Sequence, residues 1–442
     1  MKKIFIYIFT LFLISNSSAI TLQEALEYAQ SNPLVKAAKS KAQSYKKLHE
    51  ASKSAAYYPS LDLSYKGIYL QDKPTVNFNL PVTLPGLSGA LQIEPKNQYS
   101  GALTLSYPLF TGFALQSQIQ ISKLEAEKAK LQILDTKRNL YLEIVQVYSA
   151  GVALKQLIQS QTTALQSTQK SYKKAQTFYK LGMIAPAQLY KFSASLHTIE
   201  AQLIETKNQY KITLKQLSFL SHHHITGTAK LPKIVPLKFG MLQKMALQKR
   251  PDIKILSHIV KEQQTKITLT KSQYYPNIAL FARAAYTGDT PRLNGDDYTN
   301  KNKSALGFVI NYNIFNGFQT KNELQAAQEA KLSSEFMLTS YKEKVTSKIY
   351  QDYLSFSSYK KQLQAAKATV KAAKSYQVLL QAQFENQIAD ADTLSRAISA
   401  SAMARAQLIQ TKARMYLFYA KVLLEVSNNT FLNSFNKDKK ND

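Results

Sequence analysis

Few side chains in this sequence have the type and spacing that chemistry demands. The one conspicuous group of ligating residues is His222-His223-His224. A metal site borne on one helix wants ligands at spacings such as i and i+4, and three consecutive histidines do not converge. The run reads as an exposed stretch of linker. The next candidates are Asp390 and Asp392, two carboxylates at the start of a helical run. Aspartate there accepts from free N–H groups of the first turn and opposes the positive end of the helix dipole. The chain has no cysteine, which excludes a thiol nucleophile, a thiolate-held metal, a disulfide and a lipidated cysteine behind a leader. No phosphate loop, nucleophile elbow, zinc-protease helix or dinucleotide fingerprint is found. The sequence therefore predicts no enzyme, no cofactor and no metal.

What remains is architecture. The chain has 442 residues with only 13 glycines and 13 prolines, about 3% each against usual levels of roughly 7% and 5%. So few breakers imply long uninterrupted elements. Lysine plus arginine is 57 and aspartate plus glutamate 28, a net charge of +29. The cations are spread along the whole chain, which fits solvated helix faces better than a nucleic-acid patch. Residues 1–19 read as a secretory signal peptide, with Lys2 and Lys3, an apolar run from Ile4 to Ile14, and Ser17-Ser18-Ala19 before the cut. No later stretch reaches the ~18 apolar residues of a spanning helix. An exported chain of this kind is soluble or enters a membrane as a β-barrel.

The sequence repeats itself. Tyr57-Tyr58-Pro59-Ser60-Leu61 matches Tyr274-Tyr275-Pro276-Asn277-Ile278, and Leu109-Phe110-Thr111-Gly112-Phe113 matches Ile314-Phe315-Asn316-Gly317-Phe318. Asn32-Pro33 likewise matches Arg250-Pro251. The expected division is a first repeat over 20–220, a linker over 221–237, a second repeat over 238–428 and a tail over 429–442.

Each repeat reads as helix, hairpin, very long helix, turn and helix. The first helix is expected to run unbroken from Leu22 to Ala56. Then the period becomes two. Leu61, Leu63, Tyr65 and Tyr69 share one face, as do Leu103, Leu105, Tyr107 and Leu109. In the second repeat Ile278, Leu280, Ala282 and Tyr286 match them, with Leu306, Phe308, Ile310, Tyr312 and Ile314. Such alternation gives strands with one apolar face, long enough to cross a bilayer when tilted. A hairpin lying on a soluble core would show the same alternation. Tyr57, Tyr58, Tyr107, Phe110, Tyr274, Tyr275, Tyr312 and Phe315 gather near strand ends, as in the aromatic girdles of membrane barrels.

Seventy residues separate Gly112 from Gly182 and Gly317 from Gln387, about 100 Å if helical. Positions from Val345 to Phe384 carry a seam at alternating spacings of four and three, and the seam recurs from Leu140 to Tyr179. That 3.5-residue period predicts left-handed coiled-coil packing. The chain must turn at Leu181-Gly182-Met183-Ile184-Ala185-Pro186 and again at Asn386-Gln387-Ile388-Ala389-Asp390. Glycine suits the first C-cap, and proline opens the next helix. Four strands cannot close a barrel, so copies must join, and three copies give 12 strands and a lumen.

The duplicated helix, Tyr-Pro, hairpin, Phe-x-Gly-Phe and long-helix pattern, with Tyr179-Lys180-Leu181-Gly182 followed by Leu189, resembles the TolC-type outer-membrane efflux protein family. The likeness covers nearly all of the chain beyond the leader. It implies a mainly α fold with a small transmembrane β portion, a trimeric 12-strand β-barrel continuous with an α-helical barrel. It further implies a passive export duct in the outer membrane of a Gram-negative bacterium, in contact with outer-membrane lipid and extending far into the periplasm. The implied partners are two further copies, a periplasmic adaptor (membrane fusion protein), and an inner-membrane pump of resistance-nodulation or ATP-driven type. The tip residues that would meet the adaptor are Leu181, Gly182, Met183, Ile184, Ala185, Pro186, Gln188, Asn386, Gln387, Ile388 and Ala389. The sequence departs from the family at this tip. The family's glycine falls on Gln387, its lumen-facing aspartates on Thr393 and Arg396, and its closing network on Gln188, Ala389 and Phe384. A substitute gate would use Asp390, Asp392, Thr393 and Arg396, with plain helix capping as the other reading of the two aspartates. Two other functions are open to such a chain. A soluble periplasmic coiled-coil adaptor would need glycine-rich small β domains, and a nucleic-acid-binding coiled coil would need its cations gathered.

Overall fold

A computed structural model of the chain describes residues 19–77, 90–293 and 301–438. The expected leader, apart from Ala19, lies outside them. The first repeat contains α1 (Leu22–Tyr28), α2 (Pro33–Tyr57), β1 (Ser60–Tyr69), β2 (Thr75–Asn77), β3 (Ala90–Gln92), β4 (Asn97–Phe110), α3 (Ala114–Lys180) and α4 (Pro186–Ser221). The second contains α5 (Phe239–Lys249), α6 (Pro251–Lys271), β5 (Asn277–Gly288), β6 (Ala305–Asn311), α7 (Gln319–Glu385) and α8 (Ala391–Val426). A further helix, α9 (Asn428–Asp438), occupies most of the expected tail. The two long helices α3 and α7 have 67 residues each.

The helix expected from Leu22 to Ala56 is in fact two. Pro33 has no N–H to continue the ladder, and it pushes the residue before it out of helical geometry. Asn32 accordingly adopts ψ 136°. Its side chain accepts from the Leu34 N–H at 2.9 Å and donates to the Leu220 carbonyl at 2.8 Å. Pro251 divides α5 from α6 in the same way, with Arg250 at ψ 129°.

The chain forms two units, and each takes segments from both repeats. One comprises residues up to 40, 130–255 and from 339; the other comprises 41–129 and 256–338. The second unit holds an antiparallel sheet in the order β1-β4-β5-β6. Its central pair, β4 with β5, joins strands of different repeats, with Leu103 opposite Ala284 and Tyr107 opposite Leu280. Two consecutive left-handed residues turn the chain from strand into long helix, Gly112 with Phe113 and Gly317 with Phe318. Glycine is required most at 112, where a Cβ would lie 2.6 Å from the Ser272 carbonyl oxygen.

In the first unit the heptad seams are the core. Val345, Ile349, Phe356, Leu380 and Phe384 are buried along α7, and Leu140, Ile144 and Ala175 along α3. Tyr179, the last seam position of α3, stays exposed. Asp352 is a polar member of the α7 seam, 1% exposed, and its Oδ2 has no hydrogen-bond partner among the described residues. The linker is not a free tether. Ile20 forms a parallel bridge with Thr228, donating to the Gly227 carbonyl at 3.0 Å and accepting from the Ala229 N–H at 2.9 Å. The buried Tyr148 hydroxyl donates to the Ile20 carbonyl at 3.1 Å, and burial holds that phenol well above its ordinary pKa. His222 caps α4 in the left-handed conformation, and His223 stacks on Tyr28 at 3.9 Å. The three histidines are exposed, and among the described residues no group of side chains could hold a metal.

The first unit also contains a buried ionic cluster that the sequence did not signal. Arg250 grips Asp252 with two bonds of 2.9 and 2.6 Å and also pairs with Glu425. Arg138 bonds Asp252 at 3.0 Å and Asp135 at 2.8 Å, and the Tyr341 hydroxyl donates to Asp252 at 2.8 Å. Burial alone would raise the Asp252 pKa. The bonds and charges of Arg250, the charge of Arg138 and the bond from Tyr341 outweigh burial and lower it to about 2.

Candidate functional site

Two surfaces stand out, one in each unit. The first is the sheet. Its register brings the alternating apolar residues of all four strands onto one face. One row runs Leu61, Leu105, Ala282, Leu306, and the row of Tyr107 and Leu280 continues to Phe308. Leu63 is 82% exposed, Leu306 84% and Phe308 66%. Water disfavours such a contiguous apolar surface, which marks an interaction face. The opposite face carries Asp62, Ser64, Lys66, Thr104, Ser106 and Arg283.

The eight aromatic residues singled out in the sequence all lie at one end of this sheet, where strands pass into helices. Tyr57 and Tyr58 precede β1, Tyr107 and Phe110 end β4, Tyr274 and Tyr275 precede β5, and Tyr312 and Phe315 follow β6. Phe110, Phe113 and Tyr275 meet edge to face, with centroids 5.7 to 6.4 Å apart. The sequence reading missed a second belt at the other end, formed by Tyr65, Tyr69, Tyr99 and Tyr286 on the apolar face. The pairing register is the missing signal. It sets Tyr65 and Tyr286 on either side of Gly101, and Tyr99 between Gly67 and Gly288.

The second surface is the pair of helical turns in the first unit. Both turns close by the same motif. The Met183 N–H donates to the Phe178 carbonyl and the Gly182 N–H to Tyr179; the Ile388 N–H donates to Gln383 and the Gln387 N–H to Phe384. This motif needs a left-handed residue just past the helix. Gly182 supplies φ 70°, and Gln387 supplies φ 60° without glycine's freedom. Pro186 opens α4, preceded by Ala185 in extended geometry. Beneath the turns lies an apolar cluster of Ala175, Phe178, Phe192, Leu380, Phe384 and Leu394, with Ile184, Leu189 and Ala389 packed on it. Leu181, Met183 and Ile388 stay outside it, with 63%, 52% and 75% of their surface exposed.

The four candidate gate residues lie together at the start of α8. Asp390 is the N-cap of α8, accepting from the Thr393 N–H at 2.7 Å. The Thr393 bonds hold its carboxyl below the ordinary range, helped by Arg396 and Lys191. Asp392 pairs with Lys191 of α4 and with Arg396 at 2.8 Å. Gln387 and Met183 touch across the turns at 3.3 Å. Gln188, Asn386 and Ala389 lie in the same two turns, and Phe384 is packed edge-on to Phe178 and Phe192.

The profile of the family described as "Outer membrane efflux protein" matches residues 22–221 and 242–418. No curated protein matches the chain. Among solved structures, the chain is similar to a membrane protein from Pseudomonas aeruginosa at 12% identity and TM-score 0.78, covering 92% of this chain and 90% of that one. It is similar to the outer membrane protein VceC of Vibrio cholerae at 14% identity and TM-score 0.73, over 93% and 96% of the two chains. The Campylobacter jejuni CmeC outer membrane channel gives 14% identity and TM-score 0.75, over 95% and 88%.

Proposed function

The chain belongs to the outer membrane efflux protein family, and from that premise we propose how its surfaces build a duct. The protein is an outer-membrane channel of an export system. Its sheet enters the membrane and its helices serve the periplasmic side.

The carrying observation is the four-strand sheet with an exposed apolar face and two outer edges, β1 and β6, that are unpaired among the described residues. Lipid offers no partners for open strand edges. The β6 edge of one copy therefore pairs with β1 of the next. Two copies would give eight strands, whose interior side chains fill; three give 12 strands and a lumen. Along β4, Tyr99 and Phe110 are 11 residues apart, about 37 Å on the strand and about 28 Å once tilted by roughly 40°. That matches the spacing of two aromatic belts around a band of roughly 25 Å. A soluble adaptor would have no use for this face.

The turns 181–188 and 386–389 form the docking tip for a periplasmic adaptor, itself joined to an energised inner-membrane pump. The exposed Leu181, Met183 and Ile388 offer apolar anchors there. Asp390, Asp392, Thr393 and Arg396 form the gate region. Asp392 is neutralised by Lys191 and Arg396 of its own protomer, so opening the gate exchanges these pairs. The chain reads as a leader over 1–19 and two repeats, 20–220 and 238–428, joined by 221–237.

Fractionation with cross-linking tests the duct. Recovery in the outer-membrane fraction, release only by detergent and a cross-linked trimer are expected; a monomer in the soluble periplasm overturns the reading. Met183→Glu with Ile388→Glu is expected to abolish adaptor cross-linking while the trimer persists.

A further inference from the structure

We propose that the lumen face of the barrel is a basic surface that favours anionic permeants, set by Lys66, Arg283, Lys301 and Lys303. The inference rests on the barrel reading above, with the apolar face toward lipid and the other toward water.

The register places these cations together. Asp62, Thr104 and Arg283 form one transverse row that continues to Ala305. Two residues further along, Ser64, Ala102 and Ala285 form the next. The Lys303 N–H donates to the Ala285 carbonyl at 2.8 Å, so Lys303 completes that row. Lys66, Ser100 and Thr287 form the third, and the Thr287 N–H donates to the Lys301 carbonyl at 3.0 Å. The isolated bridge between Tyr286 and Asn302 keeps the β5–β6 register through this stretch. By strand alternation all five charged residues share the face opposite the leucines.

Asp62, Lys66 and Arg283 are the only charged residues in the four strands of the sheet. With Lys301 and Lys303 they make four cations against one carboxylate. Among the described residues none of the four cations is in an ion pair, and the Asp62 carboxylate accepts from the Ser60 hydroxyl at 3.2 Å. Asp289 follows the end of β5, beyond these three rows. The rows from residue 62 to residue 66 span about 14 Å of strand. The screening length at 0.1 M salt is about 10 Å, so neighbouring rows reinforce one another. Repetition in three copies makes a ring with a net charge of about +9. A lumen walled by low-dielectric protein and lipid focuses such a field and enriches anions in it.

The absence of native cysteine allows a direct test. A single reporter, Ser64→Cys, sits on β1 in the middle row, two residues from Lys66 on the same strand face, with Lys303 at the far end of that row. In outer membranes at low salt it is treated with the anionic sulfonatoethyl or the cationic trimethylammonioethyl methanethiosulfonate, and labelling is read by mass on the purified chain. With each rate divided by that reagent's rate with a free thiol in solution, the anionic reagent is expected to react faster by about 7-fold, the ratio that a potential near one kT gives for opposite unit charges. The ratio should fall toward one with Lys66→Gln alone, and further when Arg283, Lys301 and Lys303 also become glutamine. Equal rates, a cationic preference or no reaction with either reagent overturns the proposal. Leu63→Cys, on the leucine face, separates the two claims. If it resists both reagents while Ser64→Cys shows no anionic preference, only the charge assignment fails. If the charged reagents label Leu63→Cys as fast as Ser64→Cys, the barrel reading itself fails.

Discussion

At the scale of single residues, backbone conformation decides most. Gly182 and Gln387 occupy equivalent places in the two turns, both left-handed, and only one is glycine. A left-handed L-residue costs about 1 kcal/mol, so Gln387→Gly is expected to stabilise the tip by about that much. Slower hydrogen exchange at the Gln387 and Ile388 amides would register it; unchanged exchange would contradict it. Gly112 and Gly317 also match in the repeat and in sign of φ, but their surroundings differ. A Cβ at 112 would meet the Ser272 carbonyl oxygen at 2.6 Å and the Tyr275 Cβ at 2.7 Å, whereas a Cβ at 317 meets nothing within 4 Å. Gly317→Ala should cost about 1 kcal/mol and Gly112→Ala clearly more, because it adds a backbone clash to the same strain. Thermal melts followed by circular dichroism compare the two; equal losses would mean that the clash relaxes. The two glycines were legible in the sequence as matched turn points. Their inequality was not, because the helix-to-strand passage of the other repeat, Ser272 and Tyr275, supplies the crowding atoms.

Among the elements, the seams were plain in the sequence, because a 3.5-residue period fixes which side chains share a face whatever the partner. All 12 positions read from Val345 to Phe384 are buried or half-buried in α7. Of the two polar members, Asp352 and Gln377, Asp352 is informative. Among the described residues its Oδ1 reaches only Lys348 at 3.3 Å, a lysine whose side chain is half exposed. A buried carboxylate with one bare oxygen is costly. Asp352→Leu is therefore expected to raise the stability of the helical unit by about 1 kcal/mol or more. A loss of trimer on cross-linking instead would mean that Asp352 bonds a neighbouring copy. The break between α1 and α2 was carried by Pro33, a residue the sequence reading used to align the repeats without drawing the break. The second aromatic belt needed strand pairing, since Tyr65, Tyr99 and Tyr286 come from three strands.

Across the first unit, the Arg138–Arg250–Asp252–Glu425 cluster ties α3, the α5–α6 junction and α8, with Tyr341 of α7 joining through Asp252. Because the folded pKa of Asp252 lies below its ordinary 3.8, its contribution is present above that value and is lost as pH falls from about 3.8 to about 2. The depression corresponds to about 2 kcal/mol. Melts of the detergent-solubilised protein should show this acid-dependent loss, and Asp252→Asn should flatten it over the same window. A variant that keeps the wild-type slope would remove Asp252 as the source.

The sequence by itself determined the period of every long element, the duplication, the turn points and the apolar parity of the strands. These are local properties, set by spacing along the chain. The tertiary structure decided which strands are neighbours, that β4 and β5 of different repeats pair, and that Arg138 meets Asp252 across 114 positions. It also decided that Lys66, Arg283, Lys301 and Lys303 lie on one face. No local pattern encodes such meetings, because each depends on the register between distant segments. The same net charge that reads from composition as solvated lysine thus acquires, in the sheet, a place and a direction.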